Sequence, residues 1–252
     1  MKKNLINGNI IGSDNRTTDD GIIPFSKHYL QRLGNNLSPV GSGMYGSLVR
    51  DGLIFYVDFL DGASYPGSGN LLTNLGSAGN SLNWALGGTP NFVKGNNNTD
   101  TYMAFDSIDD HGYPYTTPID PASLLTSNMT VGWIVRSTDA GNGMIASKTT
   151  GGGGFLAAFQ TNNNFYHNSV GSPTAYIDLV SNNDSEGLDD SFHMLEFKAV
   201  DFSGWSSNIF MPSKYSSFIF EGYIKAMFMY DRSITSGESS TNYLAFQNNG
   251  YL

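Results

Sequence analysis

The chain has 252 residues, with 13 lysines and arginines against 22 aspartates and glutamates, so its formal net charge is −9 at neutral pH. An acidic chain without a basic cluster lacks the patch that nucleic-acid binding requires, and its apolar runs are too short to span a membrane as a helix. It has no cysteine, which excludes a disulfide framework and thiolate chemistry. Glycine, asparagine, serine and threonine are plentiful, and this abundance of turn formers argues against an all-α protein.

Residues 1–50 differ from the rest because they are polar, rich in turn formers and poor in apolar residues. They begin with basic residues but no apolar run follows, so we expect no cleaved secretory signal. A short helix is predicted near 26–33, with Ser26 as its N-cap and Gly34 just beyond its end. Such a segment cannot build its own core, so we predict an arm that gains order against a partner.

From Gly52 onwards the pattern is typical of β-structure. Alternating apolar residues predict strands at 53–59, 103–105 and 129–135, and further strands are predicted at 143–148, 155–160, 164–168, 174–180, 192–200 and 217–230. In the last of these, Ile224, Ala226, Phe228 and Tyr230 are predicted on one face of a central strand covered on both sides. Many short strands separated by turn clusters indicate a sandwich or jelly roll. A helix is predicted from Ser236 to about Gln247, with Ser236 as its N-cap.

Five segments in the right order resemble laminin G-like, concanavalin A-like domains. They are GLIFYVDFLDGASYPGSGNLLTNLGSAGN (52–80), YMAFDSIDDHGY (102–113), NMTVGWIVRST (128–138), GMIASKTTGGGGFLAAF (143–159) and GYIKAMFMYDRSITSGESSTNYLAF (222–246). The resemblance covers about 200 residues, and the usual hairpin glycine is missing from 181–220. It implies an all-β, antiparallel β-sandwich or jelly roll over 51–252, with an N-terminal arm over 1–50 and a short C-terminal helix.

The SYPGSG loop together with the N-terminal extension is similar to versions of this domain found in tailed-phage virion proteins. There such domains decorate heads or form fibres and tail appendages. The resemblance therefore implies a virion location after assembly in the host cytoplasm, with capsid, portal or tail proteins as partners. Fold alone does not determine function, so each candidate site needs its own argument.

Catalytic motifs are absent from the sequence. Glucanases with this sandwich place two glutamates on one strand face, whereas the four glutamates here (Glu186, Glu196, Glu221 and Glu238) are never within four residues of one another. The four histidines are scattered, so no zinc motif occurs, and there is neither a nucleophile elbow nor a P-loop. We therefore predict that the protein is not an enzyme; a glycan-active hydrolase is the least favoured alternative.

Four aspartates form a candidate calcium site. Asp106, Asp109 and Asp110 cluster where a predicted strand enters a loop, and Asp58 lies near the end of the neighbouring first strand. Carboxylate oxygens on one rim suit Ca²⁺. The alternative is that these side chains cap turns by accepting hydrogen bonds from their own backbone, with no cofactor bound.

Aromatic residues in or beside predicted loops form a candidate glycan-binding rim, because sugar rings stack on aromatic faces. The residues are Tyr65, Trp84, Tyr113, Tyr115, Tyr166 and Trp205. The alternative is that they fill the ends of a sandwich rich in small residues, or form an interface.

Our leading hypothesis is a non-enzymatic virion structural protein, a capsid decoration, head-fibre or tail component. Its arm would dock on the particle and order against other virion proteins, and exchange of arms would favour a homo-oligomer. The anchoring residues would be Ile10, Ile11, Ile22, Ile23, Phe25, Tyr29, Leu30 and Leu33. The alternative is a carbohydrate-binding adhesin that recognises a host-surface glycan through the aromatic rim.

Overall fold

The computed structural model of the protein describes most of the chain beyond residue 46. The described residues are 5–6, 9–10, 47–106, 108–115, 124–137, 143–148, 154–159, 167–168, 170–181, 188, 190–203, 205, 209–213 and 219–252. By its internal contacts the chain divides into two units, Met1–Val40 and Gly41–Leu252.

Of the first unit, the structure describes one pair of antiparallel strands, β1 (Leu5–Ile6) and β2 (Asn9–Ile10). The predicted helix at 26–33 lies outside the described residues. So do seven of the predicted anchoring residues, and the eighth, Ile10, is the last residue of β2. The anchoring role and the predicted boundary near residue 50 therefore stay predictions.

The second unit is an antiparallel β-sandwich with a short C-terminal helix, as the sequence predicts. Its described strands are β3 (Leu53–Asp58), β4 (Leu71–Leu72), β5 (Trp84–Gly87), β6 (Asn91–Val93), β7 (Tyr102–Asp106), β8 (His111–Pro114), β9 (Ser127–Ser137), β10 (Gly143–Ser147), β11 (Phe155–Phe159), β12 (His167–Asn168), β13 (Gly171–Ile177), β14 (Val180–Ser181), β15 (His193–Asp201) and β16 (Glu221–Tyr230). The helix, α1, is Ser236–Asn248, and a 3₁₀ helix covers Gly79–Leu82. In the described part of the chain, no helix is long and apolar enough to cross a membrane.

An eight-stranded sheet forms the main layer, in the order β14-β13-β15-β9-β16-β7-β6 with β3 also paired to β16. Strand β16 is central: one edge pairs with β9, while its other edge pairs first with β7 and then with β3. Two three-stranded sheets, β4-β5-β8 and β10-β11-β12, complete the described β-structure of this unit.

Both faces of the large sheet are covered by apolar side chains. On one face a large core packs against the smaller sheets, with Trp84 of β5 and Ile145 of β10 among its members. On the other face a second cluster packs against α1 and includes Phe246 of the helix. Strand β3 is buried along its whole length, because its two faces contribute to different clusters. Strand β7, at the side of the sheet, keeps the predicted alternation of buried and half-buried residues.

The register of β16 differs from the predicted alternation at one residue. Ile224 pairs with Val135 and Ala226 with Ile134, so Lys225 lies in a β-bulge. A bulge adds one residue to one strand and changes the face of those before it. Ile224 therefore joins the large core with Met227 and Met229, and the prediction that it shares a face with Ala226, Phe228 and Tyr230 is wrong.

The N-cap of α1 is one residue earlier than the sequence analysis placed it. The side chain of Thr235 accepts a hydrogen bond from the Glu238 backbone amide at 3.2 Å, and the Glu238 carboxylate accepts one from the Thr235 amide at 2.8 Å. This reciprocal capping box satisfies two amides that the first helical turn leaves without partners. Ser236 is therefore the first helical residue, not the cap.

Candidate functional site: a cleft with two cationic side chains

Three of the predicted rim aromatics lie in the core. Tyr65, Trp84 and Trp205 expose 5%, 0% and 1% of their surface. The Trp84 indole Nε1 donates to the Met211 carbonyl oxygen at 3.0 Å, and the Trp205 ring packs 4.7 Å from that of Phe202. These rings fill space between the sheets that small residues leave open, so they are not available to stack on a sugar.

The other three rim residues are not brought together into a described site. Tyr115 is 53% exposed and follows β8, and Tyr113 within β8 is half-buried, with its ring 5.6 Å from that of His111. Tyr166 lies outside the described residues. The glycan-binding role of Tyr113 and Tyr115 stays a prediction.

The predicted calcium site contains three of its four aspartates. Carboxylate oxygens of Asp106, Asp109 and Asp110, the aspartate cluster, lie within 4.8 Å of one another. The two Asp110 oxygens accept hydrogen bonds from the Thr89 and Asp106 amides, and Asp106 accepts one from the Ile108 amide. These bonds are the turn-capping contacts of the alternative interpretation, and whether a cation also binds stays a prediction.

Asp58 is not part of that cluster. It pairs with Ala226 on β16, whereas Asp106 pairs with Glu221, five residues away along the same strand. At about 3.3 Å per residue the two backbones are separated by roughly 16 Å. Asp58 is completely buried, and its Oδ2 accepts hydrogen bonds from the hydroxyls of Tyr56 and Tyr251, both at 2.7 Å. The expectation that Asp58 shares a calcium site is therefore wrong.

A cleft of about 690 Å³ opens on the face of the large sheet that carries the second apolar cluster. This volume lies within the range of small-molecule binding sites. Its lining combines cationic, acidic and aromatic side chains, namely Arg136, Lys225, Asp100, Asp190, Tyr102 and Phe192. None of these residues belongs to a site predicted from the sequence.

Arg136, near the end of β9, lies among three aromatic rings. Its guanidinium carbon is 4.2 Å from the ring centroid of Tyr223, 5.2 Å from that of Phe192 and 5.6 Å from that of Tyr102. Strand register explains the closest contact, because Arg136 pairs with Tyr223 across β9 and β16. Cation–π contact stabilises the charge but accepts no conventional hydrogen bond from it. The Nε atom is buried, and none of the residues that the structure describes accepts a hydrogen bond from it.

Lys225 brings a second cation to the cleft. Only 1% of the residue is exposed, and its ammonium donates to the Tyr251 carbonyl oxygen at 3.0 Å and lies 3.9 Å from the Phe192 ring centroid. Burial, and next the nearby charge of Arg136, lower its pKa to about 8. Lys225 lies in the β-bulge of β16, and its side chain lines the cleft. Its position in the cleft therefore depends on how β16 pairs with β9.

Within the described residues, neither Arg136 nor Lys225 forms an ion pair with a carboxylate. Asp100 and Asp190 line the cleft, and both are exposed. In the sequence, each of the two cations is a basic side chain within a largely apolar run, Lys225 in IKAMFMY (224–230) and Arg136 in VGWIVRS (131–137).

Comparison with known proteins gives no family: no family model matches the chain, and no curated protein matches it. Among solved structures, a Trypanosoma rangeli sialidase in complex with the inhibitor DANA is 9% identical, with a TM-score of 0.48, over 85% of this chain and 36% of that one. The same sialidase with sialic acid gives 10% identity and a TM-score of 0.46, over 78% and 33%. The receptor-binding domain of botulinum neurotoxin mosaic serotype C/D is 11% identical, with a TM-score of 0.40, over 78% of this chain and 51% of that one. This chain thus spans about a third to a half of the chains it matches.

Proposed function

We propose that the protein is a non-catalytic carbohydrate-binding β-sandwich whose ligand occupies the cleft at Arg136 and Lys225. The observation that carries the proposal is the convergence, in one cleft of about 690 Å³, of aromatic rings with side chains that donate and accept hydrogen bonds. Saccharides present both hydroxyl groups and apolar ring faces, and sites of this kind combine a few polar groups with aromatic surface.

The hydrogen-bonding groups of the cleft suit hydroxyls. Asp100 and Asp190 are exposed acceptors at its edge, and Asn96 and Thr99 add an amide and a hydroxyl from the segment between β6 and β7. A carboxylate can accept hydrogen bonds from sugar hydroxyls, while an amide both donates and accepts. The cleft therefore offers partners for several hydroxyls at once.

Exposure of both carboxylates favours binding over hydrolysis. A glycosidase places two carboxyl groups on either side of the scissile bond, with the general acid in an apolar pocket that excludes water. Asp100 and Asp190 are both solvent-exposed. Release of reducing ends from a bound oligosaccharide would contradict the non-catalytic assignment.

A glycan array followed by calorimetry tests the proposal. We expect binding by the full chain that falls at least tenfold in Asp100→Asn or Phe192→Ala and is unchanged in Arg50→Gln. Arg50 is an exposed residue just before β3, on a part of the strand pairing remote from the cleft. The proposal fails if no glycan binds, or if binding survives both cleft substitutions.

The virion role is a second, independent proposal, favoured by the division of the chain into Met1–Val40 and Gly41–Leu252. We infer that the first unit anchors the protein to capsid, portal or tail proteins, or to sister copies, while the sandwich is displayed. Deletion of residues 1–40 should leave the sandwich folded by circular dichroism but abolish its incorporation into particles. Unchanged incorporation would exclude an anchoring role.

A further inference from the structure

Arg136 has donors to spare for a ligand. A guanidinium carries five N–H donors in a planar fork. Around Arg136 the described contacts are with ring faces, and its buried Nε has no hydrogen-bond partner in the described part of the chain. A buried donor without an acceptor destabilises the folded protein, so an acceptor delivered by a ligand would remove an existing cost.

Lys225 lies beside the same ring as Arg136. The Phe192 centroid is 3.9 Å from the Lys225 ammonium and 5.2 Å from the Arg136 guanidinium carbon. One described acceptor, the Tyr251 carbonyl oxygen, takes one of the three ammonium donors. The two like charges beside this ring repel each other, and an anion bound between them would attract both and offset that repulsion.

The least exposed charged side chains of the cleft have the sign opposite to the net charge of the protein. The chain has a net charge of −9, yet the two charged lining residues that are not exposed are the half-buried Arg136 and the almost fully buried Lys225. The acidic side chains Asp100 and Asp190 are at the exposed edge, where water and salt screen them. Asp100 contributes only the smallest of the effects on the pKa of Lys225, after burial and Arg136.

From this arrangement we propose that the cleft is specific for an acidic saccharide, whose carboxylate or sulfate group is bound by the Arg136 guanidinium and the Lys225 ammonium. This rests on the proposed carbohydrate-binding function. The planar fork of arginine matches the two oxygens of either group, and the lysine adds a second point charge. Asp100 and Asp190 at the edge then accept hydrogen bonds from the sugar hydroxyls. An inorganic anion would contact the two cations but not these carboxylates.

Titration calorimetry with the full chain tests the charge requirement directly. The matched probes are an oligogalacturonate and its fully methyl-esterified form, which share one skeleton and differ in the carboxylate charge. A sialylated and a sulfated oligosaccharide separate carboxylate from sulfate as the source of the anion, and inorganic sulfate tests the anion alone. We expect at least one acidic oligosaccharide to bind tenfold or more tightly than its neutral counterpart and than inorganic sulfate.

Substitutions assign that preference to the two cations. Lys225→Gln keeps a donor for the Tyr251 carbonyl oxygen, and Arg136→Lys keeps the charge but loses the fork. Each substitution should weaken the binding of the acidic oligosaccharide at least tenfold while the melting temperature stays within a few degrees of wild type. Arg50→Gln should leave the affinity unchanged. Neutral probes should bind all variants equally.

Proton uptake supplies a readout that a purely structural role would not give. An anion beside Lys225 favours its charged form, so binding at pH 8 should take up protons, seen as a binding enthalpy that depends on the ionisation enthalpy of the buffer. Lys225→Gln should abolish this dependence. The charged or titratable groups that line the cleft or contact its cations are Lys94, Asp100, Tyr102, Arg136, Asp190, Tyr223 and Tyr251.

Three outcomes would overturn the inference, and they are distinguishable. Equal binding of acidic and neutral probes at the cleft would remove the charge preference and leave the proposed function intact. Acidic binding unaffected by either substitution would place the site elsewhere. Failure of every saccharide to bind at millimolar concentration would remove both proposals together.

Discussion

Asp58→Asn provides a sharp test of the energetics, because it removes a charge from a group enclosed on all sides. Its carboxylate is fully buried and accepts hydrogen bonds from two tyrosine hydroxyls and from the Leu60 amide. Burial is the largest effect and raises its pKa from 3.8 to about 6, although those hydrogen bonds act in the opposite direction. Asparagine has nearly the same shape, accepts from the amide and donates to a tyrosine oxygen.

The sign of the effect follows from the raised pKa. Between pH 3.8 and about 6 the folded protein binds more protons at Asp58 than the unfolded chain does, so its stability falls as the pH rises through that window. The shift corresponds to about 3 kcal/mol, of which about 2 kcal/mol falls between pH 4.5 and 7.5. The variant lacks this contribution, so wild type should lose about 2 kcal/mol relative to Asp58→Asn over that interval.

Urea unfolding of both proteins at pH 4.5 and at pH 7.5 measures this difference. Other carboxyls titrate in the same range, Asp110 among them, and the comparison of wild type with variant cancels them. Asp231→Asn, the same substitution at an exposed aspartate, is the matched control. If the difference in unfolding free energy between wild type and Asp58→Asn stays constant with pH, or changes in favour of wild type as the pH rises, Asp58 is not held in a desolvated site.

Four further predictions concern the core packing, the helix cap, the buried Glu196 carboxyl group and the aspartate cluster. Gly132→Ala should destabilise the protein by about 1–3 kcal/mol in urea unfolding, because the new Cβ would overlap the buried Phe228 ring; an unchanged midpoint would show that the ring moves freely. Thr235→Ala should cost about 0.5–2 kcal/mol in the same assay by removing the helix cap, whereas Ser236→Ala, next to it, should cost less. Burial raises the pKa of Glu196, and the opposing effects of the Ser239 hydroxyl and of the Lys198 charge are smaller, so Glu196→Gln should raise the melting temperature at pH 7.5, and a lower one would contradict this. The melting temperature should be the same in EDTA and in millimolar calcium if the aspartate cluster only caps turns, and a rise of several degrees with calcium would instead indicate a bound ion.

Local patterns were sufficient to predict the class of fold. The alternation in β7, the apolar runs of β9 and β16 and the turn clusters between strands depend on neighbours along the chain, and these strands are found where the sequence places them. The C-terminal helix is also a local feature, although its cap was misplaced by one residue because Thr235 and Ser236 are both good caps.

Tertiary structure alone decided which polar and aromatic side chains are accessible. Trp84 and Trp205 look like loop residues in sequence, but the space between the sheets is what buries them. The sequence predicts Asp58 and Asp106 on one rim, but the residues of β16 with which they pair are five positions apart. Arg136 and Lys225 are 89 positions apart, and they meet at one ring because of strand pairing and a single bulge in β16. Secondary structure follows from interactions a few residues apart, whereas this cleft depends on the register between distant strands, which no local pattern encodes.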